Sequence, residues 1–116
     1  MNIATRKLKS TTIVDVNGHI DIGSSPAFRK ALLDYLKASE RLAVNLRAVK
    51  YIDSSGIASL LEVLKEARGS NKKFVLFGLT AAVREVLQLT RLTGVFEIHE
   101  TEAEAVEIAT QVGGAP

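Results

Sequence analysis

Cysteine is absent from the 116 residues, which excludes disulfides and thiolate metal sites. Histidine occurs only as His19 and His99, too few and too scattered to suggest a metal centre. Aromatics make up 5% of the chain, so a platform for stacking bases is not expected. Basic runs are short and the formal net charge is +2, which argues against direct contact with nucleic acid. No apolar stretch approaches the roughly 20 residues of a membrane span. The opening MNIATRKLKS lacks the apolar core of a signal peptide. A cytoplasmic domain with no membrane contact and no cofactor is therefore expected. Neither a repeat nor a linker is visible. What remains is a chain that is 47% apolar and of a length that suits one core. Residues 1–112 are expected to form that domain, and 113–116 a disordered tail.

Periodicity places the elements. Residues from Ile3 to Val16 suggest two short strands, with β-branched Ile13, Val14 and Val16 in the second. Asn17-Gly18 suggests a turn or bulge, followed by a brief extended piece to Ile22. Gly23-Ser24-Ser25-Pro26 marks a helix start, with Ser25 as the expected cap and Pro26 at the first helical position. Phe28, Ala31, Leu32, Tyr35 and Leu36 then recur at helical spacing. Leu42 to Leu46 forms a third strand, and Ala48 to Ile52 leads out of it. Ile57, Leu60, Leu61, Leu64 and Ala67 form a one-sided helical stripe that is expected to end near Gly69 as a C′ residue. Phe74 to Phe77 suggests a strand buried on both faces. Thr80 is expected to cap a helix carrying Val83, Val86, Leu87 and Leu89. Phe96 to Ile98 forms a short strand, and Thr101 caps a last helix with Ala105, Ile108 and Val112. Asp15, Asp34, Lys72, Lys73, Arg84, Arg91 and His99 suggest surface positions. Strands that alternate with helices after an initial hairpin predict an α/β domain. Its sheet is mixed and mostly parallel, with an antiparallel N-terminal hairpin and about four helices.

The informative stretch is Asp53-Ser54-Ser55-Gly56, between an apolar strand and an amphipathic helix. Loops at the carboxyl ends of parallel strands share one edge, where sites tend to lie. The Asp21–Ser25 loop is expected on the same edge. The plain reading of such a tetrapeptide is capping: Asp and Ser satisfy free N–H groups, and Gly56 eases close packing. The functional reading is a hydroxyl held at a positive helix end, which suits a phosphate. A serine hydrolase is disfavoured, because the stretch is not Gly-x-Ser-x-Gly and neither His has an obvious partner. A nucleotide-binding loop is disfavoured because no Gly-x-x-x-x-Gly-Lys run exists.

The run from Asn45 to Ala58, Asn-Leu-Arg-Ala-Val-Lys-Tyr-Ile-Asp-Ser-Ser-Gly-Ile-Ala, resembles the signature of STAS domains, the anti-sigma factor antagonists and their relatives. Gly18-His19-Ile20-Asp21 is similar to the family's Gly-Glu-(Leu/Ile)-Asp segment. Ala81 to Val95, with Leu92-Thr93-Gly94, resembles its later helix and Ser/Thr-Gly loop. The resemblance covers most of the chain and implies a mechanism. An anti-sigma factor that is also a serine kinase of the GHKL type holds a sigma factor. The unphosphorylated antagonist binds that kinase and frees the sigma factor. Phosphorylation of the antagonist releases it, and a PP2C-type phosphatase restores it.

Carried onto this chain, the acceptor is Ser54, with Ser55 as fallback. The partner-facing residues are Asp21, Ser24, Asp53, Ser55 and Gly56, with Ser59 and Glu62 as exposed positions of the helix. Such a protein binds and does not catalyse. Two departures stand out: His19 replaces an acidic residue, and Gly56-Ile57-Ala58 replaces Gly-Leu-Gly. The rival is a STAS subunit of another assembly, a lipid transporter or a stress-sensing complex. The chain's length and its complete Asp-Ser-Ser-Gly favour the antagonist.

Overall fold

The computed structural model describes residues 1–110, with side chains described as far as Glu107. The tail expected at 113–116 and the core side chains expected at Ile108 and Val112 lie outside that part. The chain runs β1 (Asn2–Leu8), β2 (Thr11–Ile20), α1 (Ser25–Lys37), β3 (Arg41–Ile52), α2 (Ser54–Gly69), β4 (Lys73–Phe77), α3 (Ala81–Leu89), β5 (Glu97–His99) and α4 (Glu102–Thr110). One five-stranded sheet has the order β1-β2-β3-β4-β5. β1 and β2 are antiparallel, and every later pair is parallel. The expected α/β class with an antiparallel start is the one observed.

Alternation along the strands divides the core. Val14 and Val16 of β2, Leu42, Val44 and Leu46 of β3, and Phe74 and Leu76 of β4 face α1, α2 and α3. Ile13, Ala43, Val75 and Phe77 point to the other face, where Ala105 and Val106 of α4 cover them. β4 is thus buried on both sides, as its unbroken apolar run suggested. α2 docks through Ile57, Leu60, Val63, Leu64 and Ala67. Each large apolar side chain among these contributes about 1.5–3 kcal/mol by leaving water.

Several local expectations shift. Asn17-Gly18 is a bulge inside one continuous strand, with the register to β3 shifting at Asp15/Asn17 and Gly18/His19. Of the turn or bulge that local chemistry left open, parallel pairing to Ala48 and Val49 selects the bulge and keeps the stretch extended. β3 likewise runs unbroken to Ile52. The cap position of α1 is Ser24, and Ser25 is the first helical residue and buried. Past α2 the left-handed residue is Asn71, with φ 56°, whereas Gly69 is still helical. Leu89 is 76% exposed and takes no part in the core.

Some residues expected on the surface have partners. Asp15 accepts from Arg6 Nε at 2.8 Å and Asn45 Nδ2 at 2.9 Å, and Arg6 also pairs with Glu102. Lys72 Nζ donates to the carbonyls of Leu36 and Lys37 at 2.7 and 3.1 Å, where the negative end of α1 favours a cation. Lys73 pairs with Glu97. His99 is half-buried, and its Nε2 is enclosed without a hydrogen-bond partner among the described residues.

Candidate functional site

β2 and β3 end side by side, so the loops that follow them meet. Their link is direct: the Asp53 N–H donates to the Ile20 carbonyl at 3.1 Å. Asp53 is the N-cap of α2, with φ −110° and ψ −174°. One carboxylate oxygen accepts the N–H groups of Ser55 at 2.9 Å and Gly56 at 3.2 Å. The same oxygen accepts the Ser55 hydroxyl. That hydroxyl, more than the N–H groups of Gly56, Ser55 and Ile22, holds the Asp53 carboxyl below its ordinary pKa and outweighs partial desolvation. Asp53 is therefore an anion fixed at the positive end of a helix.

Gly56 answers to packing. A Cβ there would lie 2.6 Å from Ile52 Cγ1 and 2.8 Å from Ile20 Cγ2, both in buried side chains. Only hydrogen fits where α2 crosses the ends of the two strands. Ser54 is different. It is the first helical residue and exposed, and none of the bonds that Asp53 accepts goes to it. With the Asp53 N–H bound to Ile20 and the Ser55 and Gly56 N–H groups bound to Asp53, the Ser54 N–H is left without an acceptor among the described residues. Both donors of Ser54 thus stand free at the helix end.

The neighbouring loop is tied to itself. Asp21 Oδ1 accepts the N–H groups of Gly23 at 3.0 Å and Ser24 at 3.1 Å. Ser24 Oγ donates to the His19 carbonyl at 3.0 Å and accepts the Asp21 N–H at 2.9 Å. Beyond this loop a groove of about 240 Å³ runs between α1 and α2, lined by residues that include Pro26, Arg29, Ser55, Ala58 and Glu62.

The structure brings Asp21, Ser24, Asp53, Ser54, Ser55 and Gly56 to one edge, as the sequence suggested. Glu62 is exposed and pairs with Arg29 at 2.8 Å. Ser59 is a correction. It is 5% exposed, and its hydroxyl donates to the carbonyls of Ser55 and Ser25 at 3.0 and 3.3 Å. It fastens α1 to α2 and has no free hydroxyl to offer. Three residues of the edge escaped the sequence reading. Ile22 is 80% exposed and Tyr51 47% exposed, and Arg29 spans the two helices. The Tyr51 ring lies 6.1 Å from that of His19. An apolar residue in a loop, such as Ile22, was a visible signal. The α1–α2 pairing that places Arg29 was not.

Comparison with known proteins bears on the family and the fold. The model of the STAS domain matches residues 2–105. An anti-sigma-B factor antagonist of Listeria monocytogenes is 32% identical over 108 residues, covering 90% of this chain and 95% of that protein. A STAS-domain containing protein of Pseudomonas aeruginosa is 29% identical over 85 residues, covering 73% and 84%. The crystal structure of an anti-sigma factor antagonist from Mycobacterium paratuberculosis superposes with a TM-score of 0.85 at 23% identity, over 94% of this chain and 93% of that one, and bears on the fold alone.

Proposed function

This chain belongs to the STAS domain family, a family of binding modules, and we propose that it is an anti-sigma factor antagonist switched by phosphate on Ser54. Unphosphorylated, it binds an anti-sigma factor that is a GHKL-type serine kinase, and the sigma factor is set free. The kinase then phosphorylates Ser54 and the complex parts. A PP2C-type phosphatase resets the cycle, in the cytoplasm. One observation carries this reading. Of the four residues Asp53 to Gly56, three have structural tasks, and Ser54 alone is exposed with free donors.

The switch follows from electrostatics. Phosphate brings about −1.5 to −2 charges at pH 7. At an exposed helix N-terminus an anion gains about 0.3–1 kcal/mol, and the neighbouring Asp53 carboxylate opposes part of that. The fold should therefore change in stability by about 1 kcal/mol or less. An interface shaped to a neutral hydroxyl responds otherwise. An unpaired charge pressed into it costs about 2–5 kcal/mol. The partner surface comprises the Asp21–Ser24 and Asp53–Gly56 loops, the exposed Ile22 and Tyr51 side chains, and Glu62 beside the α1–α2 groove.

Incubation with the cognate anti-sigma kinase and ATP should add one phosphate, and peptide mapping should place it at Ser54. Full labelling of Ser54→Ala would transfer the role to Ser55 or end the proposal. A transporter operon around the gene, with no kinase or sigma factor, would point to a different client.

A further inference from the structure

β1 is the first strand in the sheet order, and no described residue pairs with its outer side. Such an edge offers unpaired N–H and C=O groups to another strand, and natural proteins usually guard it with proline, a bulge or outward charge. β1 is seven residues long, contains no proline, and pairs with β2 in unbroken register from Asn2↔Asn17 to Leu8↔Thr11. Its Arg6 is engaged by Asp15 and Glu102, which leaves Lys7 as the only other charge in the strand. The opposite edge, β5, has three residues, and its Glu97 is engaged by Lys73. The two edges are thus unequally protected.

The hairpin turn decides which groups face outward. Lys9 and Ser10 both adopt left-handed backbone, φ 53° and 68°, the pattern of a two-residue type I′ turn. Leu8 and Thr11 are therefore a hydrogen-bonded pair, and the alternation continues through Arg6, Ala4 and Asn2. Ile3, Thr5 and Lys7 aim their main-chain groups away from β2.

We propose that these groups pair with the same groups of a second copy, antiparallel about a two-fold axis at Thr5. That register sets Thr5 opposite Thr5, Ile3 opposite Lys7, Ala4 opposite Arg6 and Asn2 opposite Leu8. The whole strand overlaps, every outward residue meets an outward residue, and no like charges face each other. Centring on Arg6 sets two guanidinium groups opposite one another, and centring on Lys7 two ammonium groups, which like-charge repulsion disfavours. Centres nearer the N-terminus shorten the overlap. The sheet then continues from one copy into the next. Because the paired edges are antiparallel, the two Ser54 ends point in opposite directions and both stay open. The dimer is therefore independent of the phosphate switch. A contact made by strand edges is smaller than the roughly 1,200–2,000 Å² of a stable interface, so a weak dimer is expected.

Sedimentation velocity on the full chain over a concentration series reaching the millimolar range tests this. A reversible monomer–dimer equilibrium is expected. Thr5→Pro deletes an outward N–H while sparing the β1–β2 ladder, so it should remain monomeric with an unchanged circular dichroism spectrum. Thr5→Lys keeps the backbone donor but faces two ammonium groups, and should weaken the dimer severalfold. A wild-type chain that is monomeric at every concentration overturns the proposal. So does a dimer that survives both substitutions, since it must use another face.

Discussion

The two loops at the carboxyl edge are built from the same materials and end differently. Each follows a strand, opens with an aspartate and leads through serines into a helix. After β2, Asp21 and Ser24 bond to each other's backbone, Ser24 Oγ donates to the His19 carbonyl, and Ser25 is buried. Both polar side chains of that loop are used to close it. After β3, Asp53 and Ser55 suffice to cap α2, and Ser54 is left over. The difference lies in which residue begins the helix. Where the cap is the aspartate itself, the next side chain projects outward. Where the chain first turns through Ile22 and Gly23, the serine becomes part of the turn. A spare hydroxyl at a positive helix end is thus a product of tight capping by its neighbours.

Substitutions can break this contrast. The largest effect is expected at Gly56→Ala. Overpacking against Ile52 and Ile20 should cost about 1–3 kcal/mol. That exceeds the gain of up to about 1 kcal/mol from replacing a helical glycine. Denaturant unfolding reads the sum, and a stabilised variant would show that the contact yields. Next comes Asp53→Ala, expected to cost about 0.5–2 kcal/mol through the lost cap.

Asp53→Asn should retain most capping while losing the charge. The native carboxyl sits below its ordinary pKa, so its stabilising effect is full above that ordinary value and is lost as pH falls through the depressed one. The gap between wild type and Asp53→Asn should accordingly close in acid. Asp15 and Glu102, held down by Arg6, titrate in the same direction in both proteins and cancel in the comparison. A gap independent of pH would remove the charge from the capping argument.

The smallest effects set the two loops side by side. Ser24→Ala should cost about 0.5–1.5 kcal/mol for its hydrogen bonds. Ser54→Ala should stay within about 0.5 kcal/mol of wild type. Equal losses at both serines would mean that Ser54 has a structural task after all.

Much of this edge was legible because its signals are local. An aspartate before a helical stripe caps that helix wherever the helix lies, and a glycine three residues on marks a close approach. The element order was legible for the same reason. What escaped depends on partners distant in sequence. Asn17-Gly18 left a turn or a bulge open, and only pairing with Ala48 and Val49 makes it a bulge within one strand. Asp15 alternates as an exposed strand residue should, yet the adjacent strands bring Arg6 and Asn45 to it. Ser59 has the polarity of a surface position, but α1 packs over it and takes its hydroxyl. In each case the residue type was read correctly and its neighbour was not visible.

The most direct measurement compares unmodified and Ser54-phosphorylated protein in two experiments: thermal unfolding, and titration with the proposed anti-sigma kinase. The expected result is a nearly unchanged melting transition together with an affinity lower by about 30-fold or more, since each 1.4 kcal/mol is tenfold. Equal affinity of the two forms would contradict the switch, and lost affinity accompanied by global unfolding would contradict its local character.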